Sequence, residues 1–83
     1  MEKSIATKEN AVFLAVLRQV RVDAGITQTT LAERIGETQS FVSKVERGEL
    51  RLDVIQLRTF CLALDTDLAA FVSRFELRLR SRR

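Results

Sequence analysis

Apolar residues recur along this chain at helical spacing, in blocks parted by short polar joints, the first three of which carry glycine. Phe13, Val16, Leu17 and Val20 stand at i, i+3, i+4 and i+7, the stripe of a helix over roughly Lys8 to Asp23. Gly25 marks its end. Two shorter blocks follow. Leu31, Ala32 and Ile35 mark one face of a helix over about Gln28 to Ile35, and Val42 and Val45 one face of a second over about Gln39 to Arg47. Thr27 and Thr38 stand just before these runs, where a hydroxyl can accept a hydrogen bond from an unpaired helix amide. Gly36 lies between them and takes positive φ at little cost, so the chain can turn sharply there. The stretch Arg47 to Leu52 reads as a loop, with Gly48 ending the helix before it. Asp53 and Gln56 have capping-box spacing and open a helix with Val54, Leu57, Phe60, Cys61 and Leu64 on its inner face. Asp67 caps a last helix, along which Leu68, Phe71, Val72, Phe75 and Leu79 recur. Leu68, Phe71 and Val72 should close the core. The pattern predicts an all-α fold: one five-helix domain over 9–80 with an extended C-terminal helix, a flexible arm at 1–8 and a basic tail at 81–83.

The polar face of the helix from Gln39 carries the candidate chemistry. Gln39, Ser40, Ser43 and Lys44 lie together toward its N-terminal half. Gln can bond adenine bidentately, Lys can reach guanine or phosphate, and Ser adapts to either role. A solvated polar face is the bland alternative. The surroundings argue against it, because two short helices joined by a glycine turn are what a DNA-binding helix-turn-helix needs. Phe41 has two open placements: the helix margin, which is favoured, or a ring offered to a thymine methyl or sugar.

Gln28, Leu31-Ala32, Gly36, Gln39-Ser40, Val42-Ser43, Val45-Glu46 and Gly48 together resemble the lambda-repressor/Cro-like (XRE) helix-turn-helix family. The resemblance runs roughly from Leu17 to Val72. It implies a lambda-repressor-like domain whose helix-turn-helix spans 28–47. It also implies a structural ion pair between Arg21 and Glu46, and DNA-backbone contacts at Thr27, Gln28, Thr38, Arg47 and Arg51. Two positions depart from the family pattern. Leu52 stands near where many relatives carry Pro, and Asp65 where they often carry Gly; Asp tolerates the left-handed conformation better than most residues.

Composition narrows the function. The chain has 83 residues, enough for one small domain. Lys and Arg number 14 against 11 Asp and Glu, a mild net charge of +3. The excess gathers at the end, where Arg74 to Arg83 holds five Arg and one Glu. Such a tail touches phosphate or anionic lipid, or simply stays solvated. There is no His, no Gly-rich phosphate loop and no metal-ligand cluster, so neither an enzyme nor a cofactor is expected. Cys61 has no partner for a disulfide and sits in an apolar pattern, which reads as core. With no apolar leader and no membrane-length run, a cytoplasmic, nucleoid-associated place is expected.

The expected activity is therefore sequence-specific reading of double-stranded DNA by a transcriptional regulator. Phe75 and Leu79 extend the last apolar stripe beyond what a small domain needs, and Leu62 lies off the inner face of its helix. These three are the expected contacts of a homodimer on an inverted repeat. Two other readings stand beside it. Phe75 and Leu79 could fold back onto the first helix near Phe13, or the last helix could dock a protein partner, as in an antitoxin or accessory subunit.

Overall fold

The computed structural model describes residues 3–81, with side chains from residue 8 onward. It contains five helices: α1 (Lys3–Asp23), α2 (Gln28–Ile35), α3 (Gln39–Glu46), α4 (Val54–Ala63) and α5 (Leu68–Ser81). The apolar stripe placed the start of α1 near Lys8, but the backbone is helical from Lys3. Neither Gly nor Pro interrupts residues 3–8, so nothing in the chain stops the helix from extending past its buried stripe. Residues 1 and 2 of the expected arm, and residues 82 and 83 of the basic tail, lie outside the described residues.

The caps match the local chemistry. Thr27 Oγ1 accepts from the Thr30 amide at 3.0 Å, and Thr38 Oγ1 accepts from the Phe41 amide at 3.0 Å. At α4 the box is reciprocal: Asp53 accepts from the Gln56 amide at 2.7 Å, and Gln56 accepts from the Asp53 amide at 2.9 Å. Asp67 caps α5 by accepting from the Ala70 amide at 2.8 Å. After α4 the chain turns through Asp65 at φ 63°, and the Thr66 amide returns to the Cys61 carbonyl at 3.0 Å. Asp serves there in glycine's place.

α1 packs along α5 and touches α3, α2 lies against both α3 and α4, and α4 closes on α5. Val12, Val16, Leu17 and Val20 of α1 meet Leu31, Ala32, Val42, Val45, Phe60, Cys61, Leu64 and Phe71 in one core, with Ile26 as its plug between α1 and α2. Phe13 sits edge-on to both Phe71 and Phe75, at centroid distances of 5.6 and 6.0 Å. Such pairs add roughly 0.5–1.5 kcal/mol beyond burial. Phe75 and Leu79 are half-buried against this core, which is the fold-back arrangement.

Two apolar positions expected inside are not. Val72 is 43 % exposed and Val54 is 60 % exposed. Phe71 and Phe75 fill the groove against α1 and leave Val72 on the flank. Val54 is the first residue of α4 and stands at the rim, ahead of the turn that meets the core.

Candidate nucleic-acid interface

Helix α3 is eight residues long and amphipathic. Isolated helices of that length are marginal in water, so its geometry is imposed by packing. Val42 and Val45 are fully buried and fix its rotation. Phe41 packs at the margin against Phe60, with centroids 6.4 Å apart. What remains outward is Gln39, Ser40 and Lys44, all exposed, with Ser43 half-buried beside them. Thus the polar face lies in solvent, as the pattern required.

A hydrogen-bond chain runs beneath this face. Arg21 of α1 grips Glu46 with a fork, Nε to Oε2 at 2.6 Å and Nη2 to Oε1 at 3.0 Å. Its remaining terminal nitrogen donates to the Ile26 carbonyl at 2.9 Å. The side chains of Arg21 and Glu46 are only 11 % and 6 % exposed. Glu46 Oε1 also accepts from Gln28 Nε2 at 2.9 Å. Gln28 Oε1 in turn accepts from Gln39 Nε2 at 2.7 Å. One end of α3 is thus bonded to α1, and both ends are bonded to α2. Gln39 is held with its own Oε1 free to face outward. No buried side-chain nitrogen or oxygen among the described residues lacks a partner.

The positions implied as backbone contacts divide by what their side chains do in the free protein. Thr27 and Thr38 spend their hydroxyls on caps, so only their exposed position at helix starts faces outward. Gln28 is occupied at both ends of its amide. The Arg51 side chain is exposed and, among the described residues, makes no hydrogen bond or ion pair, and the same holds for the side chain of Lys44. Arg47 is engaged. Its Nε and Nη2 lie 2.9 and 3.3 Å from the Glu49 carboxylate, and its Nη1 donates to Ser43 Oγ. Through hydrogen bonding first, then charge, Arg47 holds the Glu49 carboxyl below its ordinary range.

The sequence reading missed Glu49, because an isolated Glu in a loop carries no periodic signal. It also missed Arg34, which donates to the Ala63 carbonyl at 2.8 Å and ties α2 to the end of α4. Of the expected dimer contacts, Leu62 is 49 % exposed, whereas Phe75 and Leu79 pack on the core. Among the described residues no cluster of three or more His, Cys, Asp or Glu could hold a metal, and no helix is long and apolar enough to cross a membrane.

A short helix braced by two others, with a solvated polar face and a tight glycine turn before it, defines a helix-turn-helix domain. The helix-turn-helix family model matches residues 17–71, and the chain belongs to that family in its XRE form. An XRE-family like protein from Pseudomonas syringae pv. tomato is similar over 90 % of this chain and 92 % of its own, at 45 % identity and a TM-score of 0.83. The restriction-modification controller protein C.Esp1396I superimposes with a TM-score of 0.77 over 83 % of this chain and 91 % of its own, at 20 % identity, a likeness of fold. The clp gene regulator ClgR from Corynebacterium glutamicum is 26 % identical over 89 % of this chain and 83 % of its own, with a TM-score of 0.71. No curated protein sequence matches the chain. Family and fold together support a DNA-binding transcriptional regulator.

Proposed function

We propose that the protein reads a specific duplex sequence by laying α3 in the major groove, and that two copies bind an inverted repeat. The observation that carries this is the pairing of an exposed polar row on α3 with a bond chain, part-buried at Glu46 and exposed at Gln39, that fixes its orientation. Gln39, Ser40, Ser43 and Lys44 are the base-reading residues. The amides that open α2 and α3, beside Thr27, Gln28 and Thr38, meet phosphates. Arg47 and Arg51 reach the backbone beyond the groove. Arg21 and Glu46 read nothing and hold the frame. The similar clp gene regulator, at 26 % identity, supports the regulatory part of this reading.

The surface for the second copy moves from the end of α5 to the outer face of α4. Ile55 and Leu62 are 69 % and 49 % exposed, seven residues apart and so on one side of the helix. Val54 adds to the same rim. Two-fold pairing there would set half-sites about one helical turn, ~34 Å, apart.

Selection from randomised duplex DNA tests the proposal. A two-fold symmetric motif is expected, with Lys44→Ala changing the preferred bases and not only the affinity. Weak, salt-sensitive binding to any duplex with no motif would refute specific reading. A symmetric motif bound by a monomer, unchanged by Ile55→Glu or Leu62→Glu, would refute the α4 dimer alone.

A further inference from the structure

Two Arg–Glu forks flank α3, and they differ in exposure. Arg21–Glu46 is largely buried, its side chains 11 % and 6 % exposed. Arg47–Glu49 is open, each side chain 54 % exposed. Glu49 is not placed there by a wandering loop. After Gly48 turns at φ 83°, the Glu49 amide donates to the Lys44 carbonyl at 2.8 Å, closing the end of the helix and setting Glu49 just beyond it. From that anchor its two oxygens face two nitrogens of Arg47, the fork that a phosphate also accepts. Lys44 is the other cation acting on this carboxylate, and Ser43 Oγ accepts from the third nitrogen of Arg47. One acidic side chain therefore sits beside two cations of the candidate interface and engages a phosphate-binding candidate directly, and a base-reading candidate through it.

We propose that Glu49 is a built-in competitor for the DNA backbone: its carboxylate holds Arg47 in the free protein and yields it to a phosphate on binding, so that Glu49 sets the affinity of the interface. This rests on the DNA-reading role proposed above. Exchange is cheap because both partners are already in water, and an exposed pair is weak enough to open. In this respect the loop works as a brake on indiscriminate binding. A duplex gains Arg47 only when α3 is seated deeply enough to bring a phosphate to the guanidinium.

The test is a double-mutant cycle on binding, using the duplex recovered by selection and a random-sequence duplex. Glu49→Gln keeps the shape and removes the charge. It should tighten binding up to about fivefold, the range an exposed ion pair spans. In an Arg47→Gln background the same change should give less than half of that gain, since only the general loss of a negative charge remains. Equal tightening in both backgrounds would overturn the competition and leave the DNA-reading role standing. Weaker binding by Glu49→Gln would also overturn it, making Glu49 a positioner of Arg47. No duplex binding by the wild-type chain would sink both readings at once. A DNA-free arm separates them further. In the free protein the Arg47 Nε–H resonance should shift on Glu49→Gln, and an unmoved resonance would overturn the proposal whatever the DNA does.

Discussion

Glu46→Ala should be the most damaging change among the polar residues. The substitution removes both acceptors of the Arg21 fork and the acceptor of Gln28. Arg21 keeps one bond, to the Ile26 carbonyl, and is left charged in a pocket that exposes 11 % of its side chain. Breaking one side of a buried pair costs about 3–5 kcal/mol. Because a little water reaches this pair, the lower end, about 3 kcal/mol, is the working figure. A domain of this size loses roughly 4–8 °C of Tm per kcal/mol, so the expected fall is about 12–24 °C. Total stability of a small domain is about 5–15 kcal/mol, so the variant stays folded in the cold. The assay is urea and thermal unfolding of wild type, Glu46→Ala, Glu46→Leu, Arg21→Met and the double Arg21→Met/Glu46→Leu. The apolar double should recover most of the loss, because no charge is then stranded. Single losses under about 1 kcal/mol that simply add in the double would refute the structural role, since independent sites behave that way. A second readout follows from the bond chain. At low temperature, with the fold intact, Glu46→Ala should still weaken DNA binding, because Gln28 and then Gln39 lose their support.

Three further outcomes are expected. Gly48→Ala should destabilise by about 1–2 kcal/mol, the penalty of a left-handed L-residue, and more if Leu14 cannot move away from a Cβ that would stand 3.1 Å from its Cδ1; unfolding in urea measures it, and an unchanged midpoint would contradict the geometry. Phe71→Ala should cost about 3–5 kcal/mol by opening the joint between α1 and α5, whereas Val72→Ala, on the flank, should cost under about 1 kcal/mol; equal losses would put Val72 back in the core. Burial pushes the Cys61 thiol up from 9.0 to about 11. The neutral thiol is thus favoured by folding, so stability should hold below pH 9, fall between pH 9 and 11 as the unfolded chain ionises first, and then level. Cys61→Val should remove that part of the slope, and alkylation at pH 8 should follow global unfolding.

The parts legible in the sequence were those governed by local rules. Thr27, Thr38, Asp53 and Asp67 were read as caps because their chemistry acts within one turn, and each is a cap. The Arg21–Glu46 pair was implied by resemblance and stands at 2.6 Å. The errors fell where periodicity is ambiguous. α4 carries Val54, Ile55, Leu57, Phe60, Cys61 and Leu62, apolar nearly all round, so a period of 3.6 could not say which side faces in. α5 had the converse difficulty. Its stripe was clear, but whether Phe75 met another copy or Phe13 depended on the length and tilt of α1, neither of which is local. Likewise the Gln28–Gln39 bond joins residues eleven apart on two helices, and only the docked pair brings them to 2.7 Å.

The chain of bonds that runs from Arg21 to Gln39 has a bearing on how such proteins diversify. The residues that brace α3 and those that face outward are nearly disjoint: Arg21, Glu46 and Gln28 brace, Ser40 and Lys44 only face out, and Gln39 does both. Substitutions at exposed positions away from special features usually shift stability within about 0.5 kcal/mol. Ser40 and Lys44 are therefore open to exchange without endangering the scaffold, and under the base-reading role proposed above such exchange would re-address the chain to a different duplex. Gln39 is the exception. Under the same proposed role, changing it would alter the address and slacken the frame together, so a lineage that acquires new targets should vary Ser40 and Lys44 first and Gln39 last.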